Sequence, residues 1–505
     1  MKTRIQFQTT LTTLITLTTL TTLITLTTLI PPRLSAQVKE EIAISVARTA
    51  AFNQLSRLGR VDHTILLETR EIRVNDTKMA YVFDLDPAGY LVVGASTGLP
   101  PVIAYSFESD FGQMDEMNPL LTLLLADLAS RWTFVNTPGY LSEGYYENRR
   151  ESIVNEGNRQ KSGPLFEQWP ATGDGWLKTN WTQNPPYNNF CPMDQVTGTR
   201  SYAGCPATAM AQIMNFHNTT NLTRFDDADD YYHNYAGRQY WIDDDAEKVD
   251  FPSFPELNTY LDTLDAHYLA GTTLTDADKA ALTFACGTAA TQVYTSQGSG
   301  TFGVSQAHEA YLRFGCNSVA LLDSDDADLF DRLKQNIKDT LPAHLAVVNE
   351  SWTTGHNVVV DGYNTDDYYH LNFGWGGSYN GWYLIPEEIP YELTVIEGVV
   401  VDIMKKLPVG IDESADGNWQ PAVRIYPNPA TDLIFIELPD DYSRFQASSE
   451  SKFQISIFDF QGREIAIHQV TEPEATVDVS GLNAGLYFVR VVSNNGVSMG
   501  KFVKE

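Results

Sequence analysis

Cysteine is scarce in this sequence: Cys191, Cys205, Cys286 and Cys316 are the four among 505 residues. That is too few for a disulfide scaffold, and no two stand at Cys-x-x-Cys spacing, which excludes a structural metal site of that kind. In an oxidising compartment one pair could bridge, and the sequence leaves open which. Basic residues are also short, 34 Lys and Arg against 64 Asp and Glu, for a formal net charge of −30. Such a field repels phosphate backbones and anionic lipid, so no nucleic-acid or membrane-surface partner is expected. After Ile30 no segment approaches the roughly 20 apolar residues that span a bilayer, so no membrane span is expected in the mature form.

A chain of 505 residues is too long for one hydrophobic core, and two to four domains are expected. Lys2 and Arg4, an uncharged Leu/Thr/Ile repeat from Thr9 to Ile30, and Leu34-Ser35-Ala36 together read as a secretory signal over residues 1–36. The repeat is longer and richer in Thr than is usual, and the alternative is a retained anchor. Residues 37–162 form a first unit: a helix within Val38–Leu58, strands at Met79–Leu85 and Tyr90–Gly94, and a helix at Leu120–Phe134. It closes on the charged stretch Tyr146–Ser162, which reads as an exposed linker open to proteases. Residues 163–408 hold the chemistry, 409–419 a polar linker, and 420–505 a small all-β module of short strands between Gly, Asn and Asp turns.

The informative cysteine is Cys205, in Gly204-Cys205-Pro206-Ala207-Thr208-Ala209-Met210-Ala211-Gln212. Small and straight-chain helix formers follow it, with Pro206 where a first turn tolerates proline. Cys205 therefore opens a helix, where unpaired amides and the macrodipole favour the reactive thiolate. Gly204 would let the backbone approach a substrate, and the Cys205 amide would face an oxyanion forming beside the sulfur. A buried cysteine at a helix start is common, so the segment gains meaning from its partners. Cys286 and Cys316 lie in apolar contexts suited to packing or a bridge, and Cys191 has no helix behind it.

A thiol nucleophile needs a base, and imidazole suits neutral pH. Nine histidines are present; His217 ends the Cys205 helix, and His308 and His344 read as helix or packing residues. His356 differs, because it follows Gly355 and opens a run of β-branched residues, Val358-Val359-Val360. The next strand-like run, Tyr368–Phe373, would form a hairpin bringing Asn372 beside His356 to fix its ring, and Trp375 with its glycines would wall the site. Upstream, Gln183 precedes an Asn184-Pro185-Pro186 turn and could donate its amide to the oxyanion, a contact worth about 3 kcal/mol of barrier. His356 lies 151 residues after Cys205, near the roughly 130–150 of papain-like enzymes.

Taken together, Gln183, Gly204-Cys205, Gln212, Gly355-His356 and Asn372-Phe373-Gly374-Trp375-Gly376-Gly377 resemble the streptopain family of papain-fold cysteine peptidases. The resemblance implies an α+β fold with a papain-like catalytic domain, a Cys205–His356 dyad, Gln183 in the oxyanion hole and Asn372 near the histidine. It also implies endopeptidase action on proteins and peptides, a preference for apolar residues near the cut, and a loop Gln297-Gly298-Ser299-Gly300 beside the cleft. No cofactor or metal is expected. One departure stands out: Phe373 occupies a position where family members commonly carry Trp.

The first unit resembles that family's α+β propeptide at Gly89–Ser96 and Leu99–Ser106, which implies an intramolecular inhibitor cut away near Arg159 or Lys161. The last unit, with Ile425-Tyr426-Pro427-Asn428-Pro429 and Leu482-Asn483-Ala484-Gly485-Leu486-Tyr487, resembles the C-terminal sorting domain of the type IX secretion system. That implies a β-sandwich, a partner in the secretion machinery, and export to the medium or the outer cell surface. Two other readings stay open from the residues alone: another papain-fold acyl transfer, as in a cell-wall amidase or transglutaminase-like enzyme, and an inactive surface binding protein.

Overall fold

The structure is a computed structural model. It describes residues 40–115, 117–137, 146, 149–151, 153, 166–316, 318–349, 355–385, 394–405, 424–437, 453–459, 463–470, 474–493 and 496–505. The expected signal at 1–36, the expected cut sites Arg159 and Lys161, and the linker 409–419 lie outside the described residues.

The first unit is a four-stranded antiparallel sheet, in the order Thr64–Val74, Thr77–Asp86, Tyr90–Gly94, Ala104–Ser106. Asn75 and Asp76 both take positive φ, 47° and 63°, giving the two-residue hairpin turn that matches strand twist. Alternation along Thr77–Asp86 sorts its side chains: Tyr81, Phe83 and Leu85 face helix Ile44–Arg57, while Ala80 and Val82 face helix Pro119–Asn136. Asn118 caps that second helix by accepting from the Leu121 amide at 3.0 Å. Strand Thr64–Val74 was not expected; its charges and uneven burial hide the period of two.

The sheet does not end with the first unit. Ala104–Ser106 pairs antiparallel with Gly381–Tyr383, and the order continues through Tyr369–Asn372, Gly355–Asn364, Ala343–Val348, Ile396–Val401 and Ala320–Asp323. Both faces of this central part are covered, which explains the unbroken Val358-Val359-Val360 run. Val359 lies in a core shared with helices Cys205–Phe216, Asp276–Ala289 and Val304–Arg313, while Val358 and Val360 lie in the opposite core, with Leu329, Leu333 and Ile337 of helix Leu329–Lys338 and, further along it, Leu120, Leu124 and Leu128 of the first unit.

The C-terminal residues form a sandwich: a three-stranded sheet (Arg424–Tyr426, Leu433–Glu437, Glu474–Asp478) and a four-stranded one (Glu464–Val470, Phe453–Asp459, Gly485–Ser493, Gly496–Lys504). Ile434, Ile436, Ile455, Ile457 and Val489 fill the space between them.

The linker expectation needs correction at its start. Tyr146 and Ile153 are buried, Arg131 donates to the Tyr146 hydroxyl at 3.1 Å, and Arg149 donates to the Asp366 carbonyl. Charge made this stretch look exposed; Arg149 finds its partner in the second unit, and Arg150 in the first, at the Ser96 and Leu99 carbonyls.

Candidate active site

Cys205 is the first residue of helix Cys205–Phe216, and Gly204 caps it at φ 85° and ψ 143°. Only glycine takes that φ without strain. A Cβ on Gly204 would also stand 2.6 Å from Gln292 Oε1, so its bareness serves internal packing. Gln292 in turn donates to the Ala203 carbonyl at 2.8 Å, and the Ala203 amide donates to the Gln183 carbonyl at 3.0 Å. The nucleophile is thus held from both sides, and Gln183 lies against the loop that presents it.

His356 stands second on strand Gly355–Asn364, with its imidazole close enough to the Cys205 thiol for each to shift the other's ionisation. Its Nε2 donates to the Phe373 carbonyl at 3.0 Å, which leaves Nδ1 to meet the sulfur. The Phe373 ring stacks on the imidazole at 5.9 Å and 19°, and Trp375 meets it edge-on at 6.4 Å. Phe in place of Trp therefore still shields the base from water. Burial alone pushes the thiol up, but the charge and hydrogen bond of His356 and the amides of Asn357 outweigh it and hold Cys205 below the ordinary thiol range. The reverse holds for His356: burial disfavours its charge, and Cys205 with the Phe373 carbonyl raises it above the ordinary value. Each group stabilises the ionised form of the other, as a thiolate–imidazolium pair requires.

Asn372 is placed differently from expectation. It pairs in register with Val359 and not with His356; its amide donates to the Thr179 carbonyl at 3.0 Å, and its oxygen accepts from Gln212 at 3.1 Å and the Gly374 amide at 3.0 Å. A main-chain carbonyl, that of Phe373, takes the imidazole position assigned to it. Gln212 entered the sequence reading only as part of the resemblance and was given no role. Fully buried on the Cys205 helix, its oxygen accepts from Thr179 Oγ1 and the Trp181 amide while its nitrogen reaches Asn372. One polar residue amid Met210, Ala211, Ile213 and Met214 was the available signal. His344 also departs from its reading as a helix or packing residue: it lies on strand Ala343–Val348, bonded to Asn357 and Tyr311. Cys191, Cys286 and Cys316 are buried and free, and burial raises the pKa of each.

Residues 181–383 match the peptidase C10 family, 35–132 the Spi protease inhibitor family, and 424–505 the secretion system C-terminal sorting domain. The central domain is a C10, or streptopain-family, peptidase domain. The chain is 25% identical over 316 residues to the thiol protease/hemagglutinin PrtT of Porphyromonas gingivalis, covering 58% of this chain and 32% of that protein. It thus spans about a third of that relative. With streptopain of Streptococcus pyogenes it shares 22% identity over 320 residues, 60% of this chain and 73% of the other. Among solved structures, a prointerpain A fragment from Prevotella intermedia covers 67% of this chain and 99% of its own length, at 22% identity and TM-score 0.46.

The C10 domain and the first unit share a cavity of about 380 Å³ at the active site. His356, Trp375, Gln297, Gly355 and Val347 line one side; Met117, Pro119, Thr122, Leu123 and Ala126 of the first unit line the other. Trp375 thus borders the cleft as expected. In the glycine loop it is Gln297 that faces the cavity, while Gly298, Ser299 and Gly300 are drawn back onto the chain: Thr295 Oγ1 donates to the Gly298 carbonyl at 2.8 Å, the Thr295 amide donates to Ser299 Oγ at 3.0 Å, and Gly300 pairs with Val293. Polar contacts clamp the first unit in place. Arg57 makes two bonds of 2.8 Å to Asp366, the Tyr368 hydroxyl donates to the Val102 carbonyl at 2.9 Å, and Glu108 meets the buried His370 at 2.7 Å.

Proposed function

We propose that the chain is the precursor of an exported cysteine endopeptidase, with residues 1–36 as signal, 37–162 as inhibitory leader, 163–408 as peptidase and 420–505 as type IX sorting domain. The observation that carries this reading is the pairing of Cys205 with His356, whose imidazole lines a cavity walled on its other side by the leader helix Pro119–Asn136. The Cys205 thiolate attacks a substrate carbonyl, and the Cys205 main-chain amide, with the Gln183 side chain, stabilises the oxyanion. His356 protonates the leaving amine, then draws a proton from water to hydrolyse the thioester. Asn372 acts through Gln212 and Gly374 to fix the loop whose Phe373 carbonyl orients the base. Removal of the leader opens the Val347 and Trp375 wall, which suits an apolar side chain of a protein or peptide substrate beside the cut.

The test is the full-length chain beside its Cys205→Ala variant, with casein as substrate and precursor size followed over time. Loss of both casein cleavage and self-cleavage in the variant is expected. Hydrolysis of peptidoglycan, or amine incorporation into casein without cleavage, would instead mark another acyl transfer; undiminished cleavage by Cys205→Ala would overturn the assignment of the nucleophile.

A further inference from the structure

We propose that Asn357 is a further catalytic residue, donating its side-chain amide to the Cys205 sulfur, and that His344 and Tyr311 are positioning residues that orient it. Asn357 Nδ2 lies 3.9 Å from Cys205 Sγ, within reach for a sulfur acceptor. An asparagine can present either end of its amide, and an oxygen turned toward a thiolate would repel it. Which end faces the sulfur is decided from behind.

His344 is fully buried on the neighbouring strand Ala343–Val348, with Nε2 2.7 Å from Asn357 Oδ1 and Nδ1 3.1 Å from the Tyr311 hydroxyl. Asn357 pairs with Ala346, so His344 stands two residues along the same strand and shares its face. Burial pushes His344 down to about 4, so at neutral pH the ring carries a single proton. Asn357 Oδ1 can only accept, so the single proton sits on His344 Nε2, and Nδ1 is left to accept from the Tyr311 hydroxyl. The amide nitrogen is thereby left for the sulfur. Every donor in the series Tyr311, His344, Asn357 points toward Cys205. The titratable groups facing this series are Cys205 and His356 at one end and Cys286 and Cys316 beside Tyr311 at the other; burial raises both of the latter thiols, so they stay protonated. The side-chain and main-chain amides of Asn357 both favour the Cys205 thiolate.

The inference rests on Cys205 as nucleophile, but its test reads thiol acidity and needs no proteolysis. Iodoacetamide alkylation of Cys205 in the full-length chain is followed by peptide mass spectrometry from about pH 4 to 9. The three buried cysteines serve as internal controls. In Asn357→Ala the acid limb is expected to move up by about half to one pH unit, a threefold to tenfold slower reaction at mildly acid pH. Asn357→Asp, which turns an acceptor to the sulfur, should move it further. His344→Phe should resemble Asn357→Ala, and His344→Gln, which keeps a donor, should recover part of the shift. If both Asn357 variants keep the parent's acid limb with unchanged circular dichroism, the proposal is overturned. Should the Asn357 variants fold poorly, an unmoved limb in His344→Phe overturns it equally.

Discussion

Glu108→Gln tests how the leader is held. Glu108 Oε1 lies 2.7 Å from His370 Nε2, and His370 Nδ1 lies 2.7 Å from Asp361 Oδ1. The imidazole is 4% exposed and Asp361 1%, whereas Glu108 is 41% exposed. Burial disfavours charge on His370, but the two carboxylates override it and raise its pKa to about 10; the His370 hydrogen bond in turn lowers that of Glu108. A hydrogen bond between charged groups contributes about 1.5–3 kcal/mol when buried. Solvent around Glu108 screens it, and glutamine still accepts from the ring, so about 1 kcal/mol is at stake, or roughly fivefold in the closed-to-open ratio. In a Cys205→Ala background, where no self-cleavage intervenes, dilute trypsin at about pH 7.5 should remove the leader roughly fivefold faster from Glu108→Gln, because cleavage follows the open population. The pH dependence has a defined sign. The raised His370 contributes fully below its ordinary 6.5 and loses that contribution as pH rises through about 10. The depressed Glu108 contributes above its ordinary 4.5 and loses that as pH falls through its lowered value. The difference in melting temperature between the two chains should therefore be largest between about pH 4.5 and 6.5 and close toward pH 10. Equal cleavage rates, or a melting difference that persists above pH 10, would refute the charge-pair account.

Gly204→Ala should lower kcat/KM at least tenfold and destabilise by about 1–3 kcal/mol, since its Cβ meets Gln292 Oε1 at 2.6 Å in a left-handed conformation; kinetics on the matured chain and a thermal melt measure the two effects. Leu123→Glu, at a position 6% exposed against the active-site cavity, should loosen the leader helix and speed self-cleavage several-fold, read from precursor loss on gels.

That Cys205 and His356 come together was legible because the signals are local. A glycine and a proline flank the thiol at a helix start, and a glycine precedes the histidine at a β-branched run. The supports were not legible, because tertiary packing sets them. The acceptor for His356 is the main-chain carbonyl of Phe373, which no side-chain pattern can announce. Asn357 reads as one more strand residue until His344, on a neighbouring strand, is seen behind it. Strand Thr64–Val74 was masked by Glu68, Arg70, Glu71 and Arg73. The start of the stretch, at Tyr146, Arg149 and Arg150, passed for linker because its arginines find their partners only in the folded chain, Arg149 at the Asp366 carbonyl and Arg150 at the Ser96 and Leu99 carbonyls.

The eleven-stranded sheet is a single hydrogen-bonded object with a seam between Ala104–Ser106 and Gly381–Tyr383. Four of its strands precede the enzyme in the chain and are synthesised first, so the catalytic strands grow onto an existing template. Cutting along the seam discards that template and leaves a three-residue rim facing water, too short to recruit another chain. On the proposed maturation, a peptidase freed of its leader would have to refold without the strands that flank it here, and its working life would be governed by how slowly it comes apart.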